Sequence, residues 1–412
     1  MDIAIIGANG SIGRQIAIRI IMERLLGATD RLQLVGRRDG RSAAALYGFC
    51  QDLKDAFSEN CPLLDVALEP EDVVADIVIM AAGATIHSDQ DTKAAMPSRD
   101  DLAIVNRALA IRYADALCRY GHGHEIVVVV TNPVEFLVDI FSARYDRKRV
   151  IGIGAYQDSL RFRREVARSI NVSRQAVRAM AIGEHGDGLV PLWSSVIVQG
   201  FSDSETRRAI HAVRGGRVST DYPGSVGAAR AQVIQIVREG RIREAFALFD
   251  TLAPDVRVVI GPFLTLFSGA KTDVATANAT VDLVCTIVGG RDSVVAAQVQ
   301  LHGEFEGVHT SIGVPIIVNT KGWESAYPLA MTDGERQLFL AAAVRVQEKI
   351  QTWTRMSTTQ LRPNSSNSQG GVIGPGTLGD GARMRVSGRA YAGRGAPTST
   401  RKATGCSWLL PH

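Results

Sequence analysis

The residue best suited to acid–base chemistry is His185, in Gly183-Glu184-His185-Gly186-Asp187, which follows an apolar run and precedes Val190-Pro191-Leu192-Trp193-Ser194. A histidine held between glycines at a strand end is exposed and positioned, and its imidazole can trade protons near neutral pH. Asp158 and Arg161, in Gln157-Asp158-Ser159-Leu160-Arg161, stand three apart and so share one helix face. By itself that spacing reads as an intrahelical ion pair.

A second chemistry is written at the N-terminus. Gly7-Ala8-Asn9-Gly10-Ser11-Ile12-Gly13 follows a strand-like run and opens a helical one. Gly7 suits the tight turn, Gly10 the close approach of backbone to a pyrophosphate, and Gly13 the packing of helix on strand. The amides near Ser11 and Ile12 are free to meet phosphate oxygens. After the next strand, where a carboxylate would bind the ribose hydroxyls of NAD, stand Gly36-Arg37-Arg38-Asp39. Two guanidinium groups suit a 2′-phosphate, so NADP is favoured over NAD. A solvated basic turn, with Asp39 as a displaced ribose ligand, is the alternative. No Cys/His pair has metal-ligand spacing, and His122-Gly123-His124 reads as a solvated turn, so no metal is expected.

The elements that position these residues are legible from hydrophobic period. Apolar strands at 3–6, 32–35, 76–82 and 126–131 alternate with helices at 11–26, 43–56, 100–120 and from about 134. Strands apolar throughout belong to a parallel sheet covered on both faces. The expected class is α/β, a Rossmann doubly wound parallel sheet over 1–148, followed by an α+β substrate domain over 149–352. In that second part helices are expected at 157–169, 230–248, 274–289 and 333–352, with strand pieces at 179–183 and 315–319.

The chain has 412 residues, 46% of them hydrophobic and 21% charged, which is ample for a core and argues against wholesale disorder. From Thr352 onward stand eight basic residues and one acid amid Gly- and Ser-rich sequence, so 353–412 is expected to be a disordered basic tail. The remaining body is mildly acidic, which argues against nucleic acid as a partner. No apolar run approaches the ~18–20 residues of a membrane span, and no cleavable leader is expected before the first strand. Five cysteines without a CxxC pair read as reduced thiols in a cytoplasmic protein.

Together these motifs resemble the lactate/malate dehydrogenase family, in order from residue 1 to about 350. The matches are the glycine turn, Ala81-Ala82-Gly83, Arg99-Asp100-Asp101-Leu102 with Asn106, Thr131-Asn132-Pro133-Val134, Asp158 with Arg161, and His185-Gly186-Asp187. Leu301-His302-Gly303-Glu304-Phe305 and Val314-Pro315-Ile316-Ile317 continue the pattern. The resemblance implies hydride transfer between a nicotinamide dinucleotide and a small 2-hydroxy/2-oxo acid, in a homodimer or homotetramer. It implies that His185 moves the hydroxyl proton, Asp158 orients it, Arg161 clamps the C1 carboxylate, and Arg99 on a closing loop polarises the carbonyl. Asn132 and Thr272 are implied beside the substrate, and Gly83, Asn106 and Thr131 beside the cofactor.

In the family the residue six before the catalytic arginine reads the substrate. Here it is Lys93, a cation suited to a second carboxylate, with His87 in the same lengthened loop. Malate is therefore favoured, and lactate or another 2-hydroxy acid is the alternative. Ala155 and Gln157 depart from the family's usual Thr and Leu, and a few dozen extra residues are expected around 207–266. A homologue that binds dinucleotide without catalysis is the reading of another class; the joint presence of Arg99, Asp158, Arg161 and His185 argues against it.

Overall fold

A computed structural model describes residues 1–84 and 99–356. Six parallel strands begin the sheet: β1 (Asp2–Ile6), β2 (Arg31–Val35), β3 (Leu63–Ala67), β4 (Ile77–Met80), β5 (Ile126–Val129) and β6 (Val150–Gly152). They lie in the order β3-β2-β1-β4-β5-β6, the doubly wound arrangement expected from the alternating pattern. Ile3, Ile5 and Ile6 of β1 are fully buried, because helices cover both faces. The chain reverses direction across the sheet between β1 and β4, and both strands end beside the glycine turn. In an open α/β sheet that crevice is where ligands bind.

The sheet does not stop there. β7 (Val177–Gly183), β8 (Leu189–Val198), β9 (Ser293–Gln300), β10 (Ser311–Asn319) and β11 (Gly322–Ala326) extend it in antiparallel fashion. The join is the pair Gly152↔Gln298 between β6 and β9. The second half therefore shares one continuous sheet with the first.

The helices are α1 (Ser11–Met22), α2 (Gly40–Ala56), α3 (Arg99–Tyr120), α4 (Val134–Ser142), α5 (Gly154–Ser169), α6 (Asp203–Arg214), α7 (Tyr222–Arg238), α8 (Ile242–Thr251), α9 (Pro254–Phe267), α10 (Asp273–Val288) and α11 (Asp333–Arg355). α4 is apolar almost all round and is buried almost all round. The single helix expected over 230–248 is two, broken at Gly240 (φ +75°), where the left-handed backbone ends α7. The stretch around 207–266, where extra residues were expected, is occupied by α6 to α9. Tyr222, Val226, Ala229 and Val233, spaced 4, 3 and 4 apart, give α7 one buried stripe. That stripe shares a second core with Phe162 and Val166 of α5 and Trp193 of β8.

One boundary needs correction. The last helix does not end at 352 but runs to Arg355, because Trp353 is an anchor rather than part of the tail. Its ring is 4% exposed, lies 5.5 Å from that of Phe136, and donates its Nε1–H to Asp100. Residues 357–412, the rest of the expected tail, lie outside the described residues. Among the described residues no helix is long and apolar enough to cross a membrane. Trp353→Ala in the full chain is expected to cost about 3–5 kcal/mol. A urea denaturation midpoint equal to that of the parent would show that Trp353 belongs to the tail after all.

Candidate active site

α5 opens immediately after β6, so its first turns lie at the mouth of the crevice, and Asp158 and Arg161 fall on its inward face. Gly154 lets this helix come close: a Cβ there would stand 2.7 Å from the Cβ of His185. His185 sits in the connection between β7 and β8, followed by Gly186 at φ +90°. Its Nδ1 lies 2.8 Å from Asp158 Oδ2. The other carboxylate oxygen accepts from Arg161 Nη1 at 2.9 Å, and the Gly186 N–H points at Oδ2 from 3.4 Å. The sequence spacing of Asp158 and Arg161 thus makes an ion pair that also holds the histidine.

Asp158 is 1% exposed. Burial pushes its carboxyl up, but the charge of His185, the hydrogen bond to it, and then Arg161 outweigh burial and hold it below the ordinary carboxylate range. Burial pushes the Arg161 guanidinium down, with Asp158 opposing. Among the described residues only Nη1 of Arg161 donates, so its remaining edge faces the cavity.

Three groups that sequence reading missed complete the frame. Glu135 of α4 accepts the His185 backbone N–H at 2.7 Å, and Gln298 of β9 donates to the same oxygen at 3.2 Å. Gln298 also accepts the Ala155 N–H at 2.9 Å, tying the start of α5 to the sheet. Their only sequence signals are an acid in the apolar run Val134-Glu135-Phe136-Leu137 and an amide in an apolar strand. The third is Arg230 of α7, which pairs with Asp187 through both its terminal nitrogens. Glu184 accepts from Lys349 of α11.

A cavity of ≈ 460 Å³ joins His185, Asp158 and Arg161 to the turn at Ser11 and Ile12. Gly83, Thr131, Asn132 and Thr272 also line it. Thr131 spends its hydroxyl on the carbonyls of Ala82 (2.8 Å) and Met80 (3.1 Å). Thr272 stands 3.5 Å from Thr276, whose hydroxyl accepts from Gln157. Asn106 is not at the surface of the cavity. It is fully buried, with its amide committed to Ala84 and to the Asn132 carbonyl (2.7 Å), so it supports the wall from behind. Arg99 opens α3, but its side chain lies outside the described residues, as do Lys93 and His87.

The glycine turn has the shape of a phosphate cradle. Gly7 adopts φ +89°, and a Cβ on Gly13 would stand 2.3 Å from the Gly7 carbonyl oxygen, so neither position admits a side chain. Gly10 caps α1 without a side-chain bond, and the first turn carries no acid. The helix N-terminus therefore offers unneutralised amides toward the cavity, which fits a dinucleotide pyrophosphate. At the end of β2, Arg37 and Arg38 are about three-quarters exposed. Asp39 accepts the Ser42 N–H as the cap of α2 and pairs with Arg37 at 3.1 Å. Arg38 pairs with Glu69 at 2.8 Å. No group of three or more His, Cys, Asp or Glu is arranged to hold a metal among the described residues.

Glu135 offers a test of the frame. Burial raises its carboxyl above the ordinary range, with the His185 charge and backbone N–H opposing. A carboxyl raised on folding contributes stability below its unfolded pKa and loses it as pH rises through the folded value. Glu135→Gln, which keeps an acceptor for His185, is expected to gain on the parent as pH rises from about 4 to about 8. Thermal midpoints measured across that range check this, and a gap independent of pH contradicts it.

Comparison with known proteins places the chain. Residues 1–152 match the family described as lactate/malate dehydrogenase, NAD binding domain. A malate dehydrogenase from Methanothermobacter marburgensis is 27% identical over 353 residues, 84% of this chain and 95% of the relative. An L-2-hydroxycarboxylate dehydrogenase (NAD(P)(+)) from Methanocaldococcus jannaschii is 26% identical, over 83% of this chain and 96% of its own. The crystal structure of Cryptosporidium parvum malate dehydrogenase has the same fold, with a TM-score of 0.65 at 22% identity, covering 86% of this chain and 99% of that one. The chain is similar to the lactate/malate dehydrogenase family over its N-terminal dinucleotide-binding part, and a likeness to malate dehydrogenases continues through the second part.

Proposed function

We propose that the protein is a nicotinamide-dependent 2-hydroxy acid dehydrogenase acting on malate and oxaloacetate. The observation that carries the reading is the chain Arg161–Asp158–His185 on the wall of a cavity that runs to the glycine turn. When bound, the nicotinamide ring supplies or accepts the hydride. Gly7, Gly10, Ser11, Ile12 and Gly13 hold the pyrophosphate through backbone amides, with Gly83 and Thr131 along the strand ends.

The chain's own residues handle the proton and the carboxylates. His185 takes the hydroxyl proton on oxidation and returns it on reduction. Asp158 accepts from Nδ1, which fixes the ring and stabilises its charged form, leaving Nε2 as the exchanging atom. Arg161 binds the C1 carboxylate through its free edge. Asn132 lies beside the reacting oxygen, Arg99 polarises it, and Thr272 closes the wall. Lys93 pairs with the second carboxylate, which favours malate over lactate.

NADP is the preferred cofactor. Arg37 and Arg38 stand where a 2′-phosphate would lie, and Asp39 is occupied as a helix cap. We further read residues 1–148 as the dinucleotide half, 149–355 as the substrate half, the protein as a homodimer or homotetramer, and its compartment as the cytoplasm. The four cysteines among the described residues form no disulfide, in keeping with a reducing compartment.

Initial rates with oxaloacetate and pyruvate, each with NADPH and NADH, test the whole reading. Oxaloacetate with NADPH is expected to be fastest, and His185→Ala is expected to lose about 10²–10⁴ in rate. Pyruvate winning would remove the role of Lys93, and NADH winning the role of Arg37 and Arg38. No turnover of any 2-oxo acid, with dinucleotide still bound, would establish a non-catalytic homologue. Arg161→Lys separates binding from chemistry: loss of the bidentate fork is expected to raise the KM of the oxo acid more than it lowers kcat.

A further inference from the structure

The helices between β8 and α10 reach the loop that carries the reactive histidine. Arg230 of α7 gives Nη1 to Asp187 Oδ2 at 2.9 Å and Nη2 to Asp187 Oδ1, a two-point ion pair across 43 residues of chain. Its guanidinium lies 5.2 Å over the ring of Phe263 in α9, while its Nε is buried without a partner among the described residues. The fork is thus held by α9 on one face and aimed at the loop through its edge. A lysine would supply the charge but only a single point of contact.

Asp187 is two residues beyond His185, across Gly186 at φ +90°. A glycine there has wide backbone freedom, so the direction of His185 depends on how both ends of the turn are held. One end is fixed by Glu135 on the His185 N–H and by Asp158 on Nδ1. The other is fixed by Arg230. Among the described residues, charged groups meet the turn from four helices: Asp158 and Arg161 from α5, Glu135 from α4, Lys349 from α11 through Glu184, and Arg230 from α7.

We propose that Arg230 is a positioning residue for His185, and that α7 to α9 have become part of the reactive site through it. The catalytic meaning of this rests on the dehydrogenase reading; the mechanical coupling does not. A misplacement of about 1 Å far from the chemistry can cost about 100-fold in rate. Arg230→Gln is therefore expected to lower kcat by about 10- to 100-fold while moving the KM of the oxo acid far less. Arg230→Lys is expected to recover part of the loss. Arg208→Gln, an exposed change on α6, is expected to recover nothing because it loses nothing.

The coupling has a readout that needs no turnover. The imidazole resonances of His185, identified by their loss in His185→Ala, can be followed against pH in the free full-length protein. Arg230→Gln is expected to shift their titration, and Arg208→Gln to leave it alone. In an Asp187→Asn background, Arg230→Gln is expected to add nothing further. An unshifted His185 titration, an Arg208→Gln effect of equal size, or a full further loss in the Asp187→Asn background would each overturn the proposal. If the parent turns over no 2-oxo acid but the His185 resonances still shift, the dehydrogenase reading falls and the coupling stands.

Discussion

Asp158 is a carboxylate with 1% of its surface left to solvent, and burial on that scale is tolerated only when every lone pair has a partner. His185, Arg161 and the Gly186 N–H supply those partners. Because an ionised carboxylate can only accept, the His185 nitrogen that faces it must carry hydrogen. One buried charge therefore decides the orientation of the histidine, its tautomer, and the atom it offers to the cavity. Removing Asp158 would leave Arg161 buried without its counter-charge as well as the histidine unheld.

The need to satisfy that carboxylate constrains the fold around it. α5 has to enter between the sheet and the β7–β8 connection, and Gly154 is the position where a side chain would block the approach. Gln298 then serves two masters with one amide, accepting from Ala155 at the start of α5 and donating to Glu135 under the histidine loop. Gln298 is also the residue that bridges β9 to β6. The junction between the parallel and antiparallel parts of the sheet is thus the same place that fixes the reactive geometry. A shift of one part against the other would be felt first at His185.

How much of this was legible follows from distance along the chain. The glycine turn, the pairing of Asp158 with Arg161, and the place of His185 at a strand end rest on neighbours within a few residues, so local spacing displays them, although His185 is mostly buried rather than exposed as its flanking glycines suggested. The parallel strands were legible for the same reason, since β1, β4 and β5 are buried on both faces and read as unbroken apolar runs. Glu135, Gln298 and Arg230 act across 50, 163 and 43 residues, and no local pattern links them to their partners. The motif that placed Asn106 beside the cofactor counts positions but not depth; only the packing reveals that its amide is buried against Ala84 and Asn132. The end of α11 was read too early because composition changes near residue 352 while the core contact, Trp353, comes one residue later.

Two buried carboxylates flank His185, and their surroundings drive them in opposite directions. Asp158 meets the ring and a guanidinium, and is held low; Glu135 accepts from a backbone N–H and an amide, and burial carries it up against the opposing His185 charge. The difference is functional rather than incidental under the dehydrogenase reading. The Asp158 carboxylate lies against the ring nitrogen that it orients, whereas Glu135 reaches the histidine through its backbone N–H. Glu135 instead does its work as an acceptor, a task open to it in either protonation state. The same histidine loop is thus gripped from one side by a charged partner on the ring and from the other by an acceptor on the backbone.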